Sequence, residues 1–410
     1  MLQYWIWLAL LEGISLRQKT LLLEHFSAPE DIYHAGAQAL AQLPELSAEA
    51  AAALANKDLT EAQQVLTRCE RKDLGIVTLG DRNYPKRLKN IADPPLVLYI
   101  RGKLPDMDTV PVIGVVGTRK ASAYGMDMAR RMGRQISQCG GLVVSGGAWG
   151  IDSAAMEGAL DVGCPVVGVL GCGADVVYPR NNGRLFAKVA QTGCLISEFP
   201  PGTEPKPWNF PMRNRIISGL TNGVLVVEAP EKSGALITAR QALEQGRDVF
   251  VVPANVDVAS GAGSNALLRD GGIAVSCGWD ILMEYQMLYP EKVEKREERL
   301  PENPVDFAGA SVAQTPQIPE KDRPLPPKAD KKSIDKQHIA PYSVIGNRQD
   351  LTPEEQKALG MLTTVPIHAD AVIARMDMPA GKALSVLTML TLKGEAVMHP
   401  GNLISLKINR

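Results

Sequence analysis

At 410 residues, 45% apolar and 22% charged, the chain is long enough for roughly two to four domains, which excludes a single small module. Its 44 Lys+Arg balance 45 Asp+Glu, so wholesale polybasic binding to nucleic acid or membrane is excluded and any polyanion site must be a local patch. The longest apolar run, Tyr4 to Leu11, is far below a membrane span, and the six cysteines form no Cys-x-x-Cys pair, so a cytoplasmic protein with reduced thiols is expected, with no membrane partner, structural metal or cofactor.

Residues 1–70 show helical periodicity without strand alternation, from Trp7, Leu8 and Leu11 through Lys19 to Phe26 and an alanine-rich stretch to Leu66. A small helical domain of SAM or helix-hairpin-helix type is expected. Leu11-Glu12-Gly13-Ile14, ahead of a helix, resembles a helix-hairpin-helix turn, whose amides can hold a DNA phosphate; simple packing is the competing reading.

Residues 71–288 change pattern, with apolar runs at Val110–Val116, Leu142–Val144, Val166–Leu170, Leu195–Ser197, Val224–Val227 and Val249–Val252, each followed by a helix-length stretch. Runs without polar alternation are strands buried on both faces. The expectation is therefore an α/β fold: an extended Rossmann-like parallel-sheet core, with ligands beyond the carboxyl ends of its strands.

Residues 289–348 read as a flexible linker, because 290–341 holds nine of the 29 prolines and the only aromatic between 291 and 341 is Phe307. In 349–410, Thr352-Pro353 suits a helix start, and further helices at Ala369–Met376 and Gly381–Leu392 precede a hairpin around Pro400-Gly401-Asn402. This predicts a winged helix.

Three segments of the core carry candidate chemistry. The first strand runs into Gly117-Thr118-Arg119-Lys120 and the second into Ser145-Gly146-Gly147-Ala148; two such strand-to-helix turns side by side suit an anion, although tight turning alone explains either glycine loop. Neither is a Walker loop nor Gly-x-Gly-x-x-Gly, which disfavours nucleotide hydrolysis and dinucleotide redox chemistry. Further on, Lys206, Trp208, Phe210, Arg213, Asn214 and Arg215 set aromatics beside cations, as single-stranded nucleic acid requires. The competing reading anchors Trp208 and Phe210 in the core and pairs Arg213 or Arg215 with a buried acid. Glu228 is expected to orient one of those arginines, and Asp152 to cap a helix. No histidine lies between positions 35 and 337, so Ser-His-Asp and Cys-His catalysis there lacks its base.

With these stretches, Ser197-Glu198-Phe199-Pro200, Phe210 to Leu220, and Val226-Val227-Glu228-Ala229, the chain resembles the bacterial DNA-processing protein A (DprA/Smf) family across roughly 75–285. The resemblance implies a non-enzymatic mediator that binds single-stranded DNA, forms a homodimer through its Rossmann-like core, protects incoming DNA and helps load a RecA-type recombinase in natural transformation. DNA contact is carried over to Arg119, Ser145, Gly146, Phe210, Arg213 and Asn214. Gly117, Lys206 and Arg215 are added from loop position, charge and spacing. Two positions depart from the family pattern: Met156 stands where histidine is frequent, close to the expected pocket, and Ala254 where glycine is usual.

Two other readings compete. A nucleoside-monophosphate-processing enzyme of the lysine-decarboxylase-like class would need a Pro-Gly-Gly-x-Gly-Thr-x-x-Glu loop, whereas the chain reads Glu228-Ala229-Pro230-Glu231-Lys232-Ser233-Gly234 there. A transcription regulator would need a cationic recognition helix, whereas Gly381–Leu392 holds only Lys382.

Overall fold

The computed structural model describes residues 1–296, apart from 37–38, 41–42 and 44–45, and residues 352–406, apart from 364–366, 374, 377, 379, 394 and 400–402. The chain divides into two compact units, Met1–Ser311 and Val312–Arg410.

Among the described residues of the first unit, nine strands form one sheet: β1 Gly75–Thr78, β2 Val97–Gly102, β3 Val112–Val116, β4 Leu142–Ser145, β5 Val166–Val169, β6 Cys194–Ser197, β7 Gly223–Val226, β8 Asp248–Val251 and β9 Ile273–Ala274. Their order is β1-β2-β6-β5-β4-β3-β7-β8-β9. Pairing from β6 to β9 is parallel throughout, while β2 joins β6 and β1 joins β2 antiparallel. The six predicted strands all form within two residues of their expected bounds. The two-residue side-chain alternation of β3 sorts Val112 and Val116 into one hydrophobic cluster and Ile113 and Val115 into another, so both faces are covered.

The helices Ala123–Gln138, Ile151–Leu160 and Gly183–Thr192 pack into the second cluster, through residues such as Met132, Ala155 and Phe186. Asn209–Leu220 and Gly234–Glu244 pack into the first, through Ile216, Ile217 and Ala239. The direction in which successive strands are added reverses at β3, with β4 on one side and β7 on the other, all three parallel. Such a switch point leaves a crevice beyond the carboxyl ends of the strands.

The first 70 residues are helical as expected, with helices Leu2–Leu10, Leu16–Phe26, Pro29–His34, Ala48–Ala55 and Thr60–Arg71. They share one hydrophobic cluster with the sheet. Trp5 packs against Gly80, where a Cβ would stand 2.8 Å from the indole, and Arg68 Nη1 donates to the Pro201 carbonyl at 3.3 Å. The Gly13 turn, at φ +77°, is closed from inside: the buried Lys19 ammonium donates to Ala9 and Leu11 carbonyls at 2.9 and 2.8 Å. Packing explains that turn.

The expected linker lies outside the described residues from 297 onward, but its first residues are docked on the core. Val293 is buried in the second cluster and the Tyr289 hydroxyl accepts from Arg87 Nη1 at 2.9 Å. In the second unit, Pro353–Leu359 opens with a reciprocal cap, in which the Thr352 hydroxyl accepts from the Glu355 amide at 3.3 Å and the Glu355 carboxylate accepts from the Thr352 amide at 2.7 Å. Ala369–Ile373 and Ala380–Leu392 follow, and strands Ala396–His399 and Leu403–Leu406 pair antiparallel, with Ile367–His368 on the outer side of the latter. The winged-helix expectation is met.

Candidate functional site

A cleft of about 490 Å³ opens beyond β3, β4 and β7 at the switch point. Gly117 and Arg119 line it from the loop after β3, Asp152 from the helix after β4, Phe210, Arg213 and Asn214 from Asn209–Leu220, and Lys232 from the loop after β7. A smaller contiguous recess shares Arg119, Tyr178, Phe210 and Arg213 and adds Gly146 and Trp149. Three helices begin around this space, and neither Gly150 nor Trp208 caps its helix with a side chain, leaving amino ends suited to an anion.

The cations play different parts. Arg119 is exposed, and its guanidinium carbon lies 5.2 Å from the Phe210 ring centroid. Arg213 is 4% exposed: its Nη1 donates to the Gly146 carbonyl at 2.6 Å and to the Val169 carbonyl, and its Nε has no partner among the described residues. Gly146 is needed for this approach, because a Cβ there would stand 2.5 Å from Arg213 Nη1 and 2.6 Å from Asp152 Oδ2. Burial lowers the Arg213 guanidinium to about 10, opposed by the charge of Asp152. Burial also pushes the Asp152 carboxyl above the ordinary carboxylate range, opposed by Arg213, Arg119 and the amides of Ala148 and Gly146. Arg213 and Asp152 thus form the buried floor, and Arg119 and Lys232 are the solvent-facing cations.

Aromatic rings complete the rim. Tyr178 and Phe210 lie 5.6 Å apart, and a side chain at Gly171 would meet Phe210 at 2.9 Å. Trp149 is 54% exposed and Trp208 63%, with Lys206 Nζ 5.7 Å from the Trp208 centroid. Neither tryptophan is a core anchor. Charge for phosphate and ring faces for bases therefore meet in one place.

Several expected roles change. Arg215 is not in the cleft: its guanidinium pairs with Glu198 through two bonds of 2.7 and 2.6 Å and donates to the Asp93 carbonyl, which holds the segment before β2. Glu228 orients neither arginine; its Oε2 accepts from the Ser122 amide and hydroxyl at 3.0 and 2.9 Å. Ser145 is fully buried, its hydroxyl donating to the Val115 carbonyl at 2.7 Å, so it braces β4 against β3 beneath the cleft. Lys206 stands outside the lining, beside Trp208. Met156 is a core residue and not a pocket one. Sequence reasoning missed Trp149, Tyr178 and Lys232 as lining residues; the first lies inside the Ser145–Asp152 loop it had already singled out.

No helix among the described residues is long and apolar enough to cross a membrane. The sequence profile of DNA recombination-mediator protein A matches residues 75–286, and that of the DprA winged helix domain matches 346–402. The chain is 40% identical to DNA processing protein DprA of Bacillus subtilis over 221 residues, covering 54% of this chain and 74% of that one. It is 30% identical to Protein Smf of Synechocystis over 413 residues, covering 97% of each. The X-ray structure of DNA processing protein A from Streptococcus pneumoniae superposes with a TM-score of 0.62 at 31% identity, over 69% of this chain and 98% of that one. With the parallel sheet, the cleft at its switch point and the winged helix all in place, the chain belongs to the DNA recombination-mediator protein A (DprA/Smf) family.

Proposed function

We propose that the core binds single-stranded DNA along the switch-point cleft, shields it, and helps load a RecA-type recombinase onto it during natural transformation, as a cytoplasmic homodimer joined through the Rossmann-like core. The role is binding and delivery, not turnover. The observation that carries this reading is the juxtaposition of Arg119 and Lys232 with the ring faces of Phe210, Tyr178 and Trp149 around one cleft. Cations engage phosphates of any nucleic acid, but exposed rings reward only strands whose bases are unstacked. Membership of a recombination-mediator family supports the delivery step.

Contacts to DNA are assigned to Arg119, Lys232 and Phe210, over a floor set by Gly117, Gly146, Arg213 and Asn214. Lys206 adds charge at the rim. The winged helix, with six Lys+Arg against five Asp+Glu in 351–410, serves protein contact or modulation of the dimer better than duplex recognition. The test is recombinase filament assembly on a single-stranded oligonucleotide. The wild-type protein is expected to shorten the nucleation lag and Arg119→Ala to lose that effect; a lag unchanged by the wild-type protein contradicts the delivery role.

A further inference from the structure

The loop from Thr118 to Ser122 carries Arg119 and Lys120, both exposed, and has open space on two sides. On one side lies the first cleft, lined by Thr118 and Arg119. On the other a second cleft, of about 390 Å³, opens beyond β7 and β8 on the same edge of the sheet. Ser122 and Tyr124 line it from this loop and the helical turn that follows, Val227 and Glu228 from the end of β7, and Pro253 and Val258 from the segment after β8. A wall between two clefts gains little from close packing, because much of its surface has no neighbouring atoms. Hydrogen bonds have to hold it in place.

One residue supplies them at both ends of the loop. The Glu228 carbonyl accepts from the Thr118 amide at 2.7 Å, and its carboxylate Oε2 accepts from the Ser122 amide and hydroxyl at 3.0 and 2.9 Å. The Ser122 hydroxyl in turn accepts from the Gly125 amide at 3.0 Å and so caps the helix Ala123–Gln138. A third tie runs to the neighbouring helix, where the Thr118 carbonyl accepts from the Ile151 amide at 3.3 Å. Any side chain at Gly125 would collide with Oε2, so the helix leaves room for the carboxylate. Glu228 is 5% exposed, and its Oε1 is buried with no partner among the described residues. That oxygen is closed to any ligand, and burying it is costly. The bonds that offset the cost are those of Oε2, and they end on the loop.

A guanidinium that reaches phosphate from a mobile loop incurs the ordering cost when DNA binds, whereas a loop fixed in advance incurs it on folding. Resting on the reading of the first cleft as a strand-binding site, we propose that Glu228 is a positioning residue for strand binding: its carboxylate fixes the loop so that Arg119 faces the cleft beside Phe210 before DNA arrives. Glu228 itself touches no DNA.

The test is fluorescence anisotropy of the full-length protein with labelled oligo(dT), run as a double-mutant cycle on Glu228 and Arg119. Glu228→Ala is expected to weaken binding roughly tenfold, the effect of a loop that presents Arg119 only about a tenth of the time. In the Arg119→Ala background the same substitution should change affinity less than about twofold, because the group it positions is gone. Glu228→Gln keeps an acceptor oxygen for Ser122 and should retain most of the affinity. Ser122→Ala, at an exposed position, removes one of the two bonds to Oε2; it should show the same dependence on Arg119 on a smaller scale, and it decides the matter if Glu228→Ala fails to fold. Equal losses in the two backgrounds, a Glu228→Ala protein that binds like the wild type, or a Glu228→Gln protein as weak as Glu228→Ala overturns the positioning role alone. Failure of the wild-type protein to bind the oligomer, or wild-type affinity in Arg119→Ala, overturns the reading of the first cleft beneath it.

Discussion

The two clefts on the carboxyl edge of the sheet are separated by one loop, and they differ in what lies at their floors. In the first, Asp152 is matched by Arg213, and the cations Arg119 and Lys232 remain free to face solvent. In the second, among the described residues, the Glu228 side chain accepts hydrogen bonds from Ser122 on one oxygen, and the other, buried oxygen has no partner. The same architecture thus yields a cation-lined site and an acid-lined one, and what decides between them is whether a buried carboxylate has an arginine beside it.

Removing that arginine should have the largest effect. Arg213→Ala leaves Asp152 buried without the stronger of its two countercharges and is expected to cost ~3–5 kcal/mol of stability, measured by denaturant unfolding. Arg213→Met combined with Asp152→Leu should recover most of that loss. If Arg213→Ala unfolds like the wild-type protein, the pair does not set the floor of the cleft. Arg119→Ala probes the same cleft from the solvent side. Its guanidinium is exposed, so melting should be unchanged while single-strand affinity falls by ~1.5–3 kcal/mol in a binding titration. Loss of stability there, with affinity intact, would reverse the roles given to the two arginines.

A smaller difference separates the carboxylates by pH. Asp152 is raised by burial, so its charge is unfavourable in the fold and acidification relieves that cost. Glu355 in the winged helix is the reverse case: the Lys393 ammonium at 2.7 Å and the Thr352 amide hold it below its usual 4.5. Its unfolded state binds the proton first, so the stability it contributes is present above pH 4.5 and lost as pH falls through the lower folded value. Glu355→Gln should remove that acid sensitivity from the winged-helix melting transition and cost ~1 kcal/mol at neutral pH, the size of a helix cap.

The parallel strands were legible because burial on both faces writes each as a continuous apolar run. β1, β2 and β9 were not. β1 has four residues, one of them exposed, and β9 only two, both exposed, so neither carries a periodic pattern; Val97–Gly102 follows two prolines and is joined antiparallel at the edge. The Gly-Thr-Arg and Ser-Gly-Gly loops were legible as strand-to-helix turns that border one cleft because strand and helix follow each other there at short spacing. The division of labour between Arg213 and Arg215 was not, since it depends on Glu198, which lies 17 residues before Arg215 and reaches it only once β6 and Asn209–Leu220 are packed. Glu228 was misjudged for the same reason: its partner Ser122 is 106 residues away, across the β3–β7 pairing.

The central claim is that the first cleft distinguishes single strands by stacking on its rings, with charge acting on both nucleic-acid forms alike. The direct measurement is the affinity ratio of single-stranded to duplex DNA across a salt series, for the wild-type protein, Phe210→Ala and Lys206→Ala. Rising salt should weaken both complexes while the single-strand advantage survives. Phe210→Ala should shrink that advantage by up to the ~1–3 kcal/mol of a stacked base, and Lys206→Ala should lower both affinities without changing their ratio. Equal affinity of the wild-type protein for the two forms at moderate salt, or a ratio that Phe210→Ala leaves intact, would contradict the account.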